Sequence, residues 1–252
     1  MSAKKKTEKP KGQPIKKKAK RREAAPPDVA AIRRKIKEVG NITMPNGRLL
    51  GNTQWGIYAF YDFDGEPIYV GQTREGIAGR IGRHLTGQRS DAVAKNVLDP
   101  FEVAEVRIWA FDLRDMAIEE VGRTGKVLYK ETPALVAHLN NAEYTVYERL
   151  VEESKFKAIL NEKRPSKGCV VNLPADFRHS IIPEELRAQR KHPDVRIARR
   201  AGTIALLARV ISEREVDTGL RHVLLLQAKR LEFLANKRLS QFPQKKQADH
   251  GH

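Results

Sequence analysis

Trp55-Gly56-Ile57-Tyr58-Ala59-Phe60-Tyr61-Asp62-Phe63-Asp64-Gly65-Glu66-Pro67-Ile68-Tyr69-Val70-Gly71-Gln72-Thr73 decides the fold of this chain. Two apolar runs, 55–63 and 66–72, flank an Asp-Gly step, and both of those residue types tolerate the positive φ of a hairpin turn. The stretch therefore predicts two paired antiparallel strands, with Tyr58 on one and Tyr69 on the other. Residues 76–85 follow as a basic helix in which Arg80 and His84 are four apart and share one face. Residues 101–111 read as a third strand, with Val103, Val106 and Ile108 spaced for a partly buried sheet.

Outward from this centre the chain divides by composition. Residues 1–27 are rich in Lys and Pro, hold almost no apolar side chains and are predicted to be a disordered basic tail. Within 28–54, Val29, Ile32, Ile36 and Val39 predict a short amphipathic helix, followed by a loop. Residues 113–132 have no clear period, and Gly122-Arg123-Thr124-Gly125-Lys126 reads as a basic loop or hairpin tip, a candidate DNA contact. The longest helical pattern in the central part runs from 133 to about 160, with a stripe at Leu135, Leu139, Ala142, Val146 and Leu150. Pro165, Gly168 and Pro174 break the chain. We assign 55–175 to one α+β domain, 176–240 to a helical extension and 241–252 to a flexible tail.

The 252 residues carry a formal net charge of +17. Residues 1–22 hold eleven Lys or Arg against one Glu, but the body remains basic without them. This balance points to a polyanionic partner. Lys4-Lys5-Lys6 and 16–22 also resemble a nuclear import signal, a pattern shared with DNA-binding arms. Cys169 is the single cysteine, which rules out an intrachain disulfide and a Cys-rich zinc site and suits a reducing compartment. No run approaches a membrane span, and the lysine-rich start lacks a following apolar segment, so a cytoplasmic protein is expected. His138, His179, His192 and His222 lack metal-ligand spacing. Gly76, Gly79 and Gly82 lack the Lys-Ser/Thr that would make a phosphate loop.

The tripeptides Gly56-Ile57-Tyr58 and Tyr69-Val70-Gly71, then Gly71-Gln72-Thr73 and Arg80-x-x-x-His84 in that order, resemble the GIY-YIG nuclease superfamily over roughly residues 55–162. The resemblance implies a small three-stranded antiparallel sheet flanked by helices and a phosphodiesterase site. It implies Tyr58 beside the attacking water and Tyr69 beside the phosphate. A phenol is a poor base at neutral pH and needs a second group for its proton, which His84 can be. Arg80 would clamp the phosphate. The family's single Glu ligand for Mg²⁺, or for Mn²⁺ in its place, is assigned to Glu148 in Val146-Tyr147-Glu148-Arg149-Leu150-Val151, with Glu143 as the competing choice. About 140° of helix separates the two, so both cannot face the site. Asn161 falls where related restriction nucleases carry a site Asn.

The expectation is a Mg²⁺-dependent endonuclease of the restriction-enzyme branch, bacterial, acting on double-stranded DNA as a homodimer. The alternatives are a structure-directed repair or mobile-element nuclease, and a non-catalytic nucleic-acid-binding protein.

Overall fold

The computed structural model describes residues 27–85, 97–122, 124 and 127–242. The basic tail up to 26, most of the 122–126 tip and the end from 243 lie outside the described residues. Helix α1 (Pro27–Gly40) leads to strands β1 (Trp55–Tyr61) and β2 (Pro67–Thr73), then helix α2 (Ile77–Leu85) and strand β3 (Glu105–Phe111). A separate ribbon, β4 (Ile118–Val121) and β5 (Val127–Lys130), precedes helix α3 (Pro133–Glu153). Strand β6 (Asp176–Ser180) and helices α4 (Glu184–Lys191), α5 (Pro193–Glu213) and α6 (Thr218–Leu239) complete the α+β architecture.

The hairpin forms as its sequence dictates. Asp62 Oδ1 accepts the backbone N–H groups of Asp64 and Glu66, and Gly65 supplies the positive φ of 73°. The register sets Tyr58 opposite Gly71 and Phe60 opposite Tyr69. Alternation along β1 sends Tyr58 and Phe60 to one face of the sheet, against α1 and α2, and Trp55, Ile57, Ala59 and Tyr61 to the other, against α3. Gly56 is required by close packing, since a Cβ there would lie 2.7 Å from Ile77 Cδ1.

Where three strands were expected the sheet has four, all antiparallel, in the order β2-β1-β3-β6. Strand β6 escapes pattern reading because Asp176-Phe177-Arg178-His179-Ser180 is mostly polar. It pairs through the backbone ladder and through ion pairs from Arg107 to Asp176 and from Arg178 to Glu105, the kind of charged edge that resists further pairing. The third strand begins at Glu105 rather than 101, because Asp99 caps a 3-10 turn over Pro100–Glu102 by accepting the Phe101 N–H. Helix α3 starts at the Thr132 cap and stops at Glu153, short of 160, where Ser154 turns the chain and its hydroxyl donates to Glu66. The 113–132 insertion is a hairpin whose Ile118, Val121, Val127 and Leu128 are exposed.

The C-terminal helices share the central core. Leu207, Leu220, Val223 and Leu226 join the cluster around Tyr58 and Val106. Buried Arg196, Arg200 and Arg230 reach into an acidic set made of Asp62, Asp64, Glu66 and Glu102. The hairpin turn that orders the two tyrosine strands is thus gripped by α5 and α6.

Candidate active site

Gly76, with φ of 121°, turns the chain out of β2. Its N–H donates to the Gln54 carbonyl, and that of Ile77 donates to the Thr53 carbonyl. Helix α2 therefore starts at the root of β1. It buries Ile77, Ile81 and Leu85 against the sheet and brings Arg80 and His84 over β1. Tyr58 Oη lies 2.9 Å from His84 Nε2, and Arg80 Nε donates to the same oxygen at 3.4 Å. A neutral His84 with a bare Nε2 accepts the phenol proton, and a protonated one donates to the phenol oxygen. The imidazole is boxed by rings, with centroids 5.6 Å from Tyr58, 6.0 Å from Phe60 and 5.2 Å from Tyr69. Burial opposes the Arg80 charge, but Tyr58, Tyr69 and Glu75 outweigh it and push its pKa up.

The pairing of Tyr58 with Gly71 explains the second glycine. A Cβ on Gly71 would lie 2.6 Å from Tyr58 Oη and 3.0 Å from Tyr69 Cε1, so only hydrogen lets both phenols lie over the strand.

Strand β2 is the outer edge of the sheet, and the site wraps around it. On the α3 side an open cavity of about 440 Å³ is lined by Tyr69, Gln72, Asn140, Glu143, Asn161 and Arg164, among others. Gln72 Nε2 donates to Asn140 Oδ1 at 2.9 Å and to Glu143 Oε2 at 3.0 Å. Burial pushes the Glu143 carboxyl up, while the Gln72 amide, Arg80 and Arg74 partly offset it. Asn161 spends its amide on the backbone of Val70, with Oδ1 3.0 Å from the N–H and Nδ2 2.8 Å from the carbonyl.

Five of the six residues singled out from sequence, Tyr58, Tyr69, Arg80, His84 and Asn161, gather at this edge. Glu148 does not. Its carboxylate accepts from Arg164 at 2.6 Å, and it is not in the cavity wall. The cavity holds Glu143 instead. The helical wheel carried the signal: Glu143 lies roughly 60° from the centre of the buried stripe and Glu148 roughly 160°, so only the former can lean toward the sheet. Gln72 and Asn140 went unassigned because their roles exist only once β2 and α3 are adjacent.

Residues 54–117 match the GIY-YIG catalytic domain family. This segment is a GIY-YIG catalytic domain. The match spans both tyrosine strands, α2 and β3, and ends before α3, so Glu143, Glu148 and Asn161 lie outside it. No curated protein and no solved structure matches the chain.

The superfamily implies a divalent metal. Among the described residues no group of three or more His, Cys, Asp or Glu side chains is arranged to hold a metal ion, so a cation at this nuclease site would rely on few protein ligands. The Glu143 carboxylate, with the buried and unpartnered Gln72 Oε1 on the residue that hydrogen-bonds it, suits a hard cation that keeps most of its water. No helix among the nuclease's described residues is long and apolar enough to cross a membrane.

Proposed function

We propose that this chain is a Mg²⁺-dependent DNA endonuclease that hydrolyses phosphodiester bonds in double-stranded DNA. What carries the reading is the shared Tyr58 oxygen, 2.9 Å from His84 Nε2 and 3.4 Å from Arg80 Nε, on the strand paired with Tyr69. Tyr58 takes the proton of the attacking water and passes its own to a neutral His84 through Nε2, 2.9 Å away. Arg80 favours negative charge on the phenol oxygen and offers its remaining N–H groups to a nonbridging phosphate oxygen. Tyr69, over the edge strand, donates a hydrogen bond to the phosphate. Glu143, in place of Glu148, holds the cation, with Gln72 fixing the carboxylate and offering its own oxygen. A Mg²⁺ or Mn²⁺ ion held there would supply charge neutralisation for the phosphate and the leaving group.

The finer form of the proposal is a type II restriction endonuclease working as a homodimer at a specific site. Its support is the pair of additions outside the matched domain: the exposed 118–130 ribbon and the helical extension welded to the hairpin. Incubation of the purified protein with plasmid DNA and Mg²⁺ tests both levels. Discrete fragments support site-specific cutting, and nicking confined to branched DNA would replace it with a structure-directed nuclease. No cutting with Mg²⁺ or Mn²⁺ would overturn the nuclease reading. A monomer by sedimentation, alone and on DNA, would overturn the homodimer.

A further inference from the structure

After Asn161 the chain runs without helix or strand as Asn161-Glu162-Lys163-Arg164-Pro165-Ser166-Lys167-Gly168, of which residues 161–166 line the cavity. Irregular backbone of this kind is ordinarily adaptable, yet this run is tied down at every few residues. Asn161 is bound to Val70. Arg164 donates to Glu148 at 2.6 Å, with its guanidinium 5.6 Å from the Tyr147 ring centroid. Gly168 presses on α3 so closely that a Cβ would be 2.4 Å from Asn141 Oδ1, and the same oxygen accepts the Cys169 N–H. The Val171 N–H donates to Thr145 Oγ1. From the opposite side α6 closes in, since a Cβ on Gly219 would lie 2.1 Å from the Glu162 carbonyl oxygen.

The outward side chains of this run are cationic. Lys163, Arg164 and Lys167 are exposed, and Lys163 and Lys167 pair with no acid among the described residues. Four residues of chain reach at most ~14 Å, enough to follow several phosphates of one strand spaced ~3.4 Å along the duplex axis. We propose that residues 161–168 form a fixed strap that binds backbone phosphates beside the scissile bond, with Lys163, Arg164 and Lys167 as the contacts and Glu148 as the positioning residue for Arg164. The inference rests on the nuclease reading of the cavity. It also gives Glu148 a task outside the chemistry: the carboxylate orients a guanidinium at the rim.

The test measures binding of the full chain to a duplex oligonucleotide in EDTA across a salt series, so its outcome does not depend on cleavage. Lys163→Ala/Lys167→Ala should lose about tenfold or more in affinity at low salt and flatten the slope of log K against log salt by ~1.8, at ~0.9 per phosphate contact. A charge-matched control on the exposed faces of α5 and α6, Arg209→Ala/Lys229→Ala, should keep the wild-type slope. A strap variant with the wild-type slope overturns the proposal. For Glu148, Glu148→Gln should raise KM about as much as Arg164→Ala, the two changes together should add little, and the saturating rate should fall less than KM rises. If Glu148→Gln instead abolishes cleavage at saturating DNA with affinity intact, Glu148 serves the chemistry and its positioning role is overturned. A wild type that binds through the strap but cuts nothing with Mg²⁺ or Mn²⁺ would sink the nuclease reading while leaving the strap in place.

Discussion

The side-chain amide of Asn161 pairs with both backbone groups of Val70, accepting from the N–H at 3.0 Å and donating to the carbonyl at 2.8 Å. An edge strand normally leaves such groups to water. Here a side chain acts as the missing neighbour strand at the residue between Tyr69 and Gly71. Asn161→Ala should cost about 1–3 kcal/mol by stranding two partly buried backbone groups. It should also lower the single-turnover rate through a loosened Tyr69. Urea unfolding and rapid-quench cleavage would show both losses, and a stability loss with an unchanged rate would limit Asn161 to a structural role.

The Glu143 and Glu148 carboxylates should separate cleanly in experiment. Because burial pushes the Glu143 carboxyl up, its protonated form favours the folded state. That contribution is complete below the ordinary glutamate value of ~4.3 and is lost as pH rises through the raised folded value. At neutral pH the ionised group is therefore a net cost to the metal-free fold. Glu143→Gln should abolish cleavage, leave Tm equal or higher without metal, and lose the rise in Tm on adding Mg²⁺. Glu148→Gln should retain that rise. Loss of Mg²⁺ stabilisation in Glu148→Gln but not Glu143→Gln would return the ligand to Glu148.

The Gln72 amide restrains the upward shift of Glu143. Gln72→Met removes the hydrogen bond and leaves the carboxyl higher still. Protons then compete with the cation over a wider acid range. The acid limb of the cleavage rate at subsaturating Mg²⁺ should move to higher pH in the variant. An acid limb in the wild-type position would mean that Glu143 does not govern metal binding.

At Gly71 the expectation is steric. The Cβ of Gly71→Ala would meet Tyr58 Oη at 2.6 Å, against backbone that cannot retreat without breaking the β1–β2 ladder. The phenol must leave His84, so the rate should fall by about 10²-fold, the scale of losing an acid–base partner. Tyr58→Phe should fall at least as far with less loss of Tm. Wild-type cleavage by Gly71→Ala would show that the Tyr58–His84 contact is not used.

Glu102 tests the weld between the extension and the hairpin. Burial pushes its carboxyl up, and Arg196 and Arg200 only partly offset that. Glu102→Ala would leave two buried guanidinium groups short of a partner, at a cost of about 3–5 kcal/mol. Breaking the solvent-screened pair Arg209 and Glu213 should have far less effect in the same urea assay. Equal effects at the two sites would mean that the buried network does not anchor α5 and α6.

By itself the sequence determined the hairpin, the pairing of the two tyrosine strands, the helix carrying Arg80 and His84, and the stripe that buries α3. Each of these is local: turn chemistry, period-two alternation and helical spacing are written within a dozen or so residues. Tertiary structure decided what depends on distant segments meeting. It recruited polar β6 as a fourth strand through ladder and ion pairs that no apolar pattern announces. It turned Asn161 onto Val70, aimed Arg196, Arg200 and Arg230 at the hairpin acids, and set Glu143 rather than Glu148 in the cavity wall. That last choice rests on which face of α3 meets the edge strand, and a motif of neighbouring residues along one helix cannot encode which side its partner will approach.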